Sequence, residues 1–379
     1  MNKFLLAVVL CLSGAASGAD IRLLPPPPAP DIEAKSFALL EFHSNQMLQA
    51  QNADLRIEPA SLTKLMTAYL TFTAVKQGRL KLDQELPVSE KAWRTEGSRM
   101  FIDPKTPVRV DDLMKGMIVQ SGNDACITLA EGIAGTEETF AELMNREAKR
   151  LGMTNTHFVN STGLPDAQHY STARDLALLA AAIIREFPEF YPLYSMKEYT
   201  YNKITQPNRN RLLWQDPYVD GMKTGHTESA GFCLISSAKR GDMRLVAVVT
   251  GTASDNARTA ESQKLLNYGF QFYETYRLYQ KSQTVANLPV YKGSSNAVKA
   301  GFTRDVYLAL PKGYYQHAKI SVISRQPLLA PLTEGQSVGT LQVNIEGKTY
   351  ATFALQAIDG VSVAGLFGRM WDSVKLWFK

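Results

Sequence analysis

Apolar and polar positions along the chain divide it into three stretches of different period. Ser36-Phe37-Ala38-Leu39-Leu40-Glu41-Phe42 reads as a strand, and Asn45-Gln46 as a turn into a second strand over Met47 to Gln51. A helical period follows. One helix runs from the Ser61 region to about Gln77, with Gly78 closing it. Glu85 to Val108 is a long irregular stretch, a length that in a compact domain often serves function. Asp111 is expected to cap a helix over Asp112 to Val119, which Ser121-Gly122-Asn123-Asp124 interrupts before a second helix to about Ile133. Thr136 caps a further helix to Leu151-Gly152, and Thr172 to Ile184 is an alanine- and leucine-rich helix. After Trp214 the period returns to two: Val219 to Thr227, Gly231 to Ala238 and Met243 to Thr250 read as adjacent antiparallel strands, and Glu261 to Tyr273 as a helix. Strands at both ends with helices between predict an α+β domain over residues 31–276 whose terminal strands share one sheet.

Beyond Arg277 no helical period is sustained. Asp305 to Leu310, Ile320 to Ile323, Ser337 to Ile345 and Lys348 to Leu355 are β-rich runs, and Glu346-Gly347 sits between the last two as a two-residue hairpin turn. These predict a small all-β domain over residues 277–360. The period changes again in residues 361–379, where Val363, Leu366, Phe367, Met370, Trp371, Val374, Trp377 and Phe378 form one helical stripe. Such a stripe commonly docks on a core. Here the aromatic load and the basic polar side (Arg369, Lys375 and Lys379 against Asp372) predict instead a helix lying in a membrane surface of anionic lipid. Gly365 and Gly368 weaken it, so it is expected to form on binding.

The chain has 379 residues, 45% apolar and 20% charged, enough for two globular domains. Lys3, the apolar run Phe4 to Leu12 and Ser17-Gly18-Ala19 form a secretory leader over residues 1–19, too short to span a bilayer. Residues 20–30, with Pro25 to Pro28 and Pro30, are a stiff spacer. Removing the leader deletes one lysine and no acid, so the net charge of +5 becomes +4. That charge is spread out, with no basic run interleaved with aromatics, so no nucleic acid is expected. Cys126 and Cys233 remain after export; two cysteines make no framework, and whether they pair is open.

Three short motifs carry the chemistry. Ser61 and Lys64 stand three apart at a helix start, on one face, as a nucleophile and its candidate base. Ser121-Gly122-Asn123 falls in an interhelical loop, and Lys223-Thr224-Gly225 on a strand. Each is weak alone; together, in this order and setting, they resemble the motif triple of serine β-lactamases and penicillin-binding proteins. Competing schemes lack support: there is no Gly-x-Ser-x-Gly, no His-Glu-x-x-His, and His43, His157, His169, His226 and His317 are scattered without metal spacing. No metal or cofactor is expected. Ser61 would attack a peptide carbonyl, and Lys64 must be neutral to take its proton, which burial and a second cation such as Lys223 promote. Ser121 can relay a proton between Lys64 and a leaving amine, Asn123 can bond a substrate amide, and Lys223, Thr224 and Arg209 offer charge and donors to a terminal carboxylate.

The local contexts go further. Ser-Leu-Thr-Lys-Leu-Met-Thr from Ser61, Ser-Gly-Asn-Asp-Ala from Ser121, Lys-Thr-Gly-His-Thr from Lys223, Asn208-Arg209-Asn210 and Tyr170 to Asp175 resemble the low-molecular-mass penicillin-binding proteins that act as D-alanyl-D-alanine carboxypeptidases. The resemblance covers nearly the whole mature chain, since that family also carries a C-terminal β domain and an amphipathic anchor. It implies removal of the terminal D-alanine from peptidoglycan stem pentapeptides through an acyl-enzyme on Ser61, covalent binding of β-lactams, and a place on the periplasmic face of the bacterial inner membrane. It also implies an oxyanion hole from the backbone N–H groups of Ser61 and His226, with Gly225 in the substrate strand. No Glu-x-x-Leu-Asn loop is present and the middle motif is Ser-Gly-Asn, so slow release of β-lactams is expected. DD-endopeptidase action remains open, as does a non-catalytic binding or shape-determining role.

Overall fold

The computed structural model describes residues 26–377; the expected leader and the start of the proline run lie outside the described residues. Within the described part of that run, Tyr268 Oη donates to the Pro27 carbonyl at 2.7 Å.

Five antiparallel strands form the main sheet in the order Gln46–Gln51, Ser36–Glu41, Met243–Thr252, Gly231–Arg240, Val219–Thr227. The N-terminal strand therefore joins the three late ones, as the pattern predicts. Alternation along these strands splits the interior in two. Ala38, Leu40, Ile235, Val246 and Val248 face a helical cluster around the Lys64–Lys76 helix, which contributes Leu65, Met66, Tyr69 and Phe72. Leu39, Leu234, Leu245, Ala247 and Val249 face Leu265 and Leu266 of the Asp255–Phe272 helix. Val219–Thr227 is an outer strand, so one of its edges is left for something other than the sheet.

Thr136 and Thr172 cap their helices as expected, accepting from the N–H groups of Thr139 and Asp175. Three boundaries differ. Asp111 is not a cap: its helix begins at Val110, and Asp111 sits in the first turn, paired with Lys115 at 2.6 Å. The helix expected from Glu261 begins six residues earlier at Asp255, because Ser254 caps it and polar residues line its first turn. The stretch 85–108 contains a short helix, Glu90–Arg94, capped by Ser89, and the strand pair Glu85–Leu86 with Val108–Arg109.

The second region is all β. A six-stranded sheet runs in the order Ala318–Ser324, Ser337–Ile345, Lys348–Ala357, Ala297–Gly301, Ala286–Tyr291, Leu328–Leu329, beside the pair Tyr273–Tyr279 and Val306–Pro311. Glu346 (φ 50°) and Gly347 (φ 78°) both occupy the left-handed region, the requirement of a type I′ hairpin turn.

The terminal helix spans Leu366–Trp377. It does not start at Val361, because Val361 is buried in the β domain and bridges Leu332, while Val363 bridges Gly293. The helix docks by its polar side: Asp372 is buried and accepts from the Lys292 backbone N–H at 2.6 Å and from Lys375 at 3.1 Å. Its apolar stripe faces outward, with Phe367 90% and Trp377 87% exposed. Among the described residues, no helix is long and apolar enough to cross a membrane.

Candidate active site

The site forms where the outer strand Val219–Thr227 meets the short turn Ala60–Thr63 ahead of the Lys64 helix. Gly225 permits the approach: a Cβ there would lie 3.1 Å from the Pro59 carbonyl oxygen and 3.2 Å from Leu62. On the other side the loop at Ser161-Thr162-Gly163 presses on the same turn. Gly163 has φ +84°, and a Cβ on it would stand 1.8 Å from the Ala60 carbonyl oxygen, so only glycine fits. Ala60 itself has φ 48°, strain placed immediately before Ser61.

Lys64 is 1% exposed. Its Nζ lies 2.9 Å from Ser61 Oγ and donates to the Thr162 carbonyl at 2.7 Å. Burial lowers its pKa to about 8; the nearby Arg209 charge pushes the same way, against Asp124 and Glu137. The neutral amine keeps two N–H bonds and one lone pair. One N–H satisfies Thr162, and the lone pair can accept the Ser61 hydroxyl proton. The Thr162 loop is itself fixed: Ser161 donates from its N–H and hydroxyl to Glu137, and Thr67 donates to the Ser161 carbonyl. Behind it, the His169 pKa is pushed down to about 4 by burial, so the ring is neutral. Its Nδ1 accepts from the Val159 N–H, which leaves the proton on Nε2 to donate to Thr63 Oγ1 at 2.7 Å.

Ser121 has φ 61° and lines the cleft. Lys223 Nζ donates to Ser121 Oγ and to the Thr224 carbonyl, both at 3.0 Å. Lys223 is buried, and burial, then the charges of Lys64 and Arg209, holds its pKa well below the usual lysine range. The structure thus joins Ser121 to Lys223, where sequence reasoning linked Ser121 to Lys64 and sent Lys223 to the substrate. Asn123 is held beside the Gly97–Ser98 wall: its N–H donates to the Ser98 carbonyl and its amide to the Glu96 carbonyl, both at 2.7 Å.

The cleft has a volume of about 610 Å³, and Ser61, Ser121, Arg209, Thr224, Gly225 and His226 all line it. The His226 ring lies on Phe232, centroids 4.0 Å apart. Three residues at the cleft went unassigned in the sequence. Asp255 pairs with Arg211 at 2.6 Å and with Arg258, and Arg258 donates to the Gly225 carbonyl at 3.1 Å, bracing the strand from beneath. With those two arginines taken, Arg209 is a cleft guanidinium with no hydrogen bond or ion pair among the described residues. Asp124 was also missed. Its carboxylate accepts from the N–H groups of Met100, Phe101, Ile102 and Ala125, tying the 97–102 wall to the Ser121 loop. The polar start of the Asp255 helix was the available signal for Asp255 and Arg258. Cys126 and Cys233 are both free and buried. Among the described residues no group of His, Cys, Asp and Glu is placed to hold a metal.

Comparison with known proteins gives concordant matches. A family model described as D-alanyl-D-alanine carboxypeptidase matches residues 25–254, and one described as the penicillin-binding protein 5 C-terminal domain matches residues 273–362. The chain is 44% identical over 358 residues to D-alanyl-D-alanine carboxypeptidase DacC of Escherichia coli (strain K12), covering 92% of this chain and 90% of that protein. Penicillin-binding protein 5 from Haemophilus influenzae superposes with a TM-score of 0.85 at 41% identity, covering 90% of this chain and 99% of that one. Penicillin-binding protein D2 from Listeria monocytogenes, solved in its ampicillin-bound form, covers 64% of this chain and 99% of its own at 34% identity, with a TM-score of 0.60.

Proposed function

The chain belongs to the D-alanyl-D-alanine carboxypeptidase family, and we propose that it removes the terminal D-alanine from peptidoglycan stem pentapeptides through an ester on Ser61. The observation that carries this reading is Ser61 Oγ, in the cleft, 2.9 Å from the buried amine of Lys64.

The substrate peptide lies along the free edge of Val219–Thr227 as an added strand, using backbone groups that the sheet leaves unpaired there. Its terminal carboxylate meets Arg209 and Thr224 in the cleft. Neutral Lys64 takes the Ser61 proton as Oγ attacks the penultimate D-alanine carbonyl. The backbone N–H groups of Ser61 and His226 bind the oxygen that becomes negative. Ser121, hydrogen-bonded to Lys223, gives its hydroxyl proton to the departing D-alanine nitrogen as the C–N bond breaks and regains one from protonated Lys64, which becomes neutral again. Water then hydrolyses the ester, returning the proton to Ser61 and releasing the shortened peptide. A β-lactam enters the same attack, but its ring-opened amine stays attached, so it remains as an ester on Ser61. The ampicillin-bound relative supports this.

The reading extends to place. The leader expected from the sequence and the outward aromatic stripe of the Leu366–Trp377 helix support an exported enzyme held at the periplasmic face of the inner membrane. The test is D-alanine release from a pentapeptide ending in D-Ala-D-Ala, beside mass spectrometry after penicillin treatment. Wild type releases D-alanine and gains one penicilloyl mass; Ser61→Ala does neither. Labelling that persists in Ser61→Ala rejects the assignment.

A further inference from the structure

The wall of the cleft formed by Gly97 and Ser98 does not end there. The same segment continues into a second hollow of about 250 Å³, lined by Trp93, Arg99, Phe101 and Asn202. The hairpin of Glu198–Tyr201 and Ile204–Pro207 runs alongside: Pro207 at its base lines the catalytic cleft, and Asn202 at its tip lines the hollow. Gln206 ties the two by donating to the Arg99 carbonyl at 3.0 Å.

Phe101 is the unusual residue. Met100 and Ile102 on either side are buried, yet Phe101 is 46% exposed and has φ 66°, a left-handed backbone that a bulky aromatic rarely adopts. The conformation is imposed from both sides. The Phe101 N–H donates to the buried Asp124 carboxylate at 2.9 Å, and its carbonyl accepts from Asn202 at 3.5 Å. The fold therefore holds an aromatic ring in solvent against two unfavourable terms, strain and exposure. Arg99 lies over this ring, 5.5 Å from its centroid, and has no carboxylate partner among the described residues. Trp93, 42% exposed, adds a second aromatic. The acids of the hollow are engaged elsewhere: Asp124 with four N–H groups, and Asp103 with the N–H of Lys105.

We infer that this shelf is a subsite for the part of the substrate remote from the scissile bond: the sugar to which the stem is attached, and a carboxylate carried by the stem. Aromatic faces pack on the C–H face of a pyranose ring, and an unpaired guanidinium suits a carboxylate. Continuity with the cleft wall selects this occupant over an unrelated ligand. The inference rests on the carboxypeptidase reading and names its preferred substrate as the sugar-bearing stem rather than a free peptide.

The test compares two substrates, an acetylated D-Ala-D-Ala tripeptide and a disaccharide-pentapeptide, with wild type, Phe101→Ala and Arg99→Gln. Phe101→Ala is expected to raise KM for the disaccharide-pentapeptide about tenfold with kcat unchanged, and to leave the tripeptide alone. Arg99→Gln is expected to raise the same KM about fivefold, an effect that vanishes when the stem carboxylate is amidated. The rate of penicillin acylation, unchanged in both variants, shows that the wall is intact. Equal changes on both substrates, or none on the disaccharide-pentapeptide, overturn the subsite. Absence of D-alanine release by wild type from either substrate is a different outcome, and it removes the carboxypeptidase reading instead.

Discussion

Lys64 in the catalytic domain and Phe367 on the terminal helix are solvated in opposite ways: an amine 1% exposed and an aromatic ring 90% exposed. Each is the reverse of what its chemistry prefers in water. The burial of Lys64 is enforced from several directions, by the Thr162 carbonyl, the glycine-lined contacts around Ser61 and the second lysine behind Ser121. The helix that carries Phe367 docks through a polar contact, Asp372 against the Lys292 N–H. A buried charge is held by groups from across a whole domain. An outward apolar stripe is held from the opposite, polar face of its own helix.

The comparison is sharpened most by Lys64→Met. Acylation and D-alanine release should fall about 10⁴-fold, no further than in Ser61→Ala, since the pair acts as a unit. Stability should move the other way. The folded-state pKa of Lys64, about 8, lies below its ordinary 10.5, so protonated Lys64 destabilises the fold fully below pH 8 and not at all above 10.5. Denaturant titration should show the methionine variant more stable by roughly 2 kcal/mol at pH 6, after the lost Thr162 bond, with the gain fading as pH rises from 8 to 10.5. A variant less stable at pH 6 would break the idea that the buried amine is a functional cost. In wild type the acylation rate should rise tenfold per pH unit up to about pH 8 and then level off, followed by stopped-flow with a chromogenic β-lactam.

The tail is tested next. Replacing Phe367, Trp371 and Trp377 with serine should lower partitioning onto anionic vesicles about a hundredfold and leave turnover of a soluble peptide unchanged. Cutting after Ala364 is a cleaner truncation than cutting before Val361, because Val361 belongs to the β-domain core. Variants that still sediment fully with vesicles would refute the in-plane helix. A smaller effect is expected at Asp124→Asn, where four N–H groups lose a charged acceptor: about 2 kcal/mol of stability and a several-fold slower acylation, read by thermal melts and penicillin binding. Thr136→Ala, far from either extreme, should cost about 1 kcal/mol through its helix cap and change no rate.

Much of this layout was legible in the residues. Val219–Thr227 and Ser337–Ile345 follow the expected bounds; burial alternates along the second, the signature of a strand with one committed face. Thr136 and Thr172 announced their helices because a cap is a local bond. The three motifs marked Ser61, Ser121 and Lys223, and the fold brings them to one cleft. What stayed hidden is long-range or carried by backbone. Thr162 contributes a carbonyl, which any residue has, 98 positions from Lys64. Asp255 and Arg258 read as loop because the first turn of their helix faces a polar cleft rather than a core. Asn123 kept its motif place, and its amide also donates to the Glu96 carbonyl, a partner that sequence spacing does not disclose.

The pairing of Ser36–Glu41 with Met243–Thr252 has a consequence for synthesis. Leu39 sits opposite Ala247, so the centre of the sheet joins segments made some two hundred residues apart. Everything between them, the helical cluster and the nucleophile included, is in effect an insertion between two neighbouring strands. The sheet cannot close, and the cleft beside Ser61 cannot form, until residue 252 has emerged. A topology with so much non-local pairing folds slowly. The nascent chain therefore stays open, and incapable of acylation, for most of its own translation.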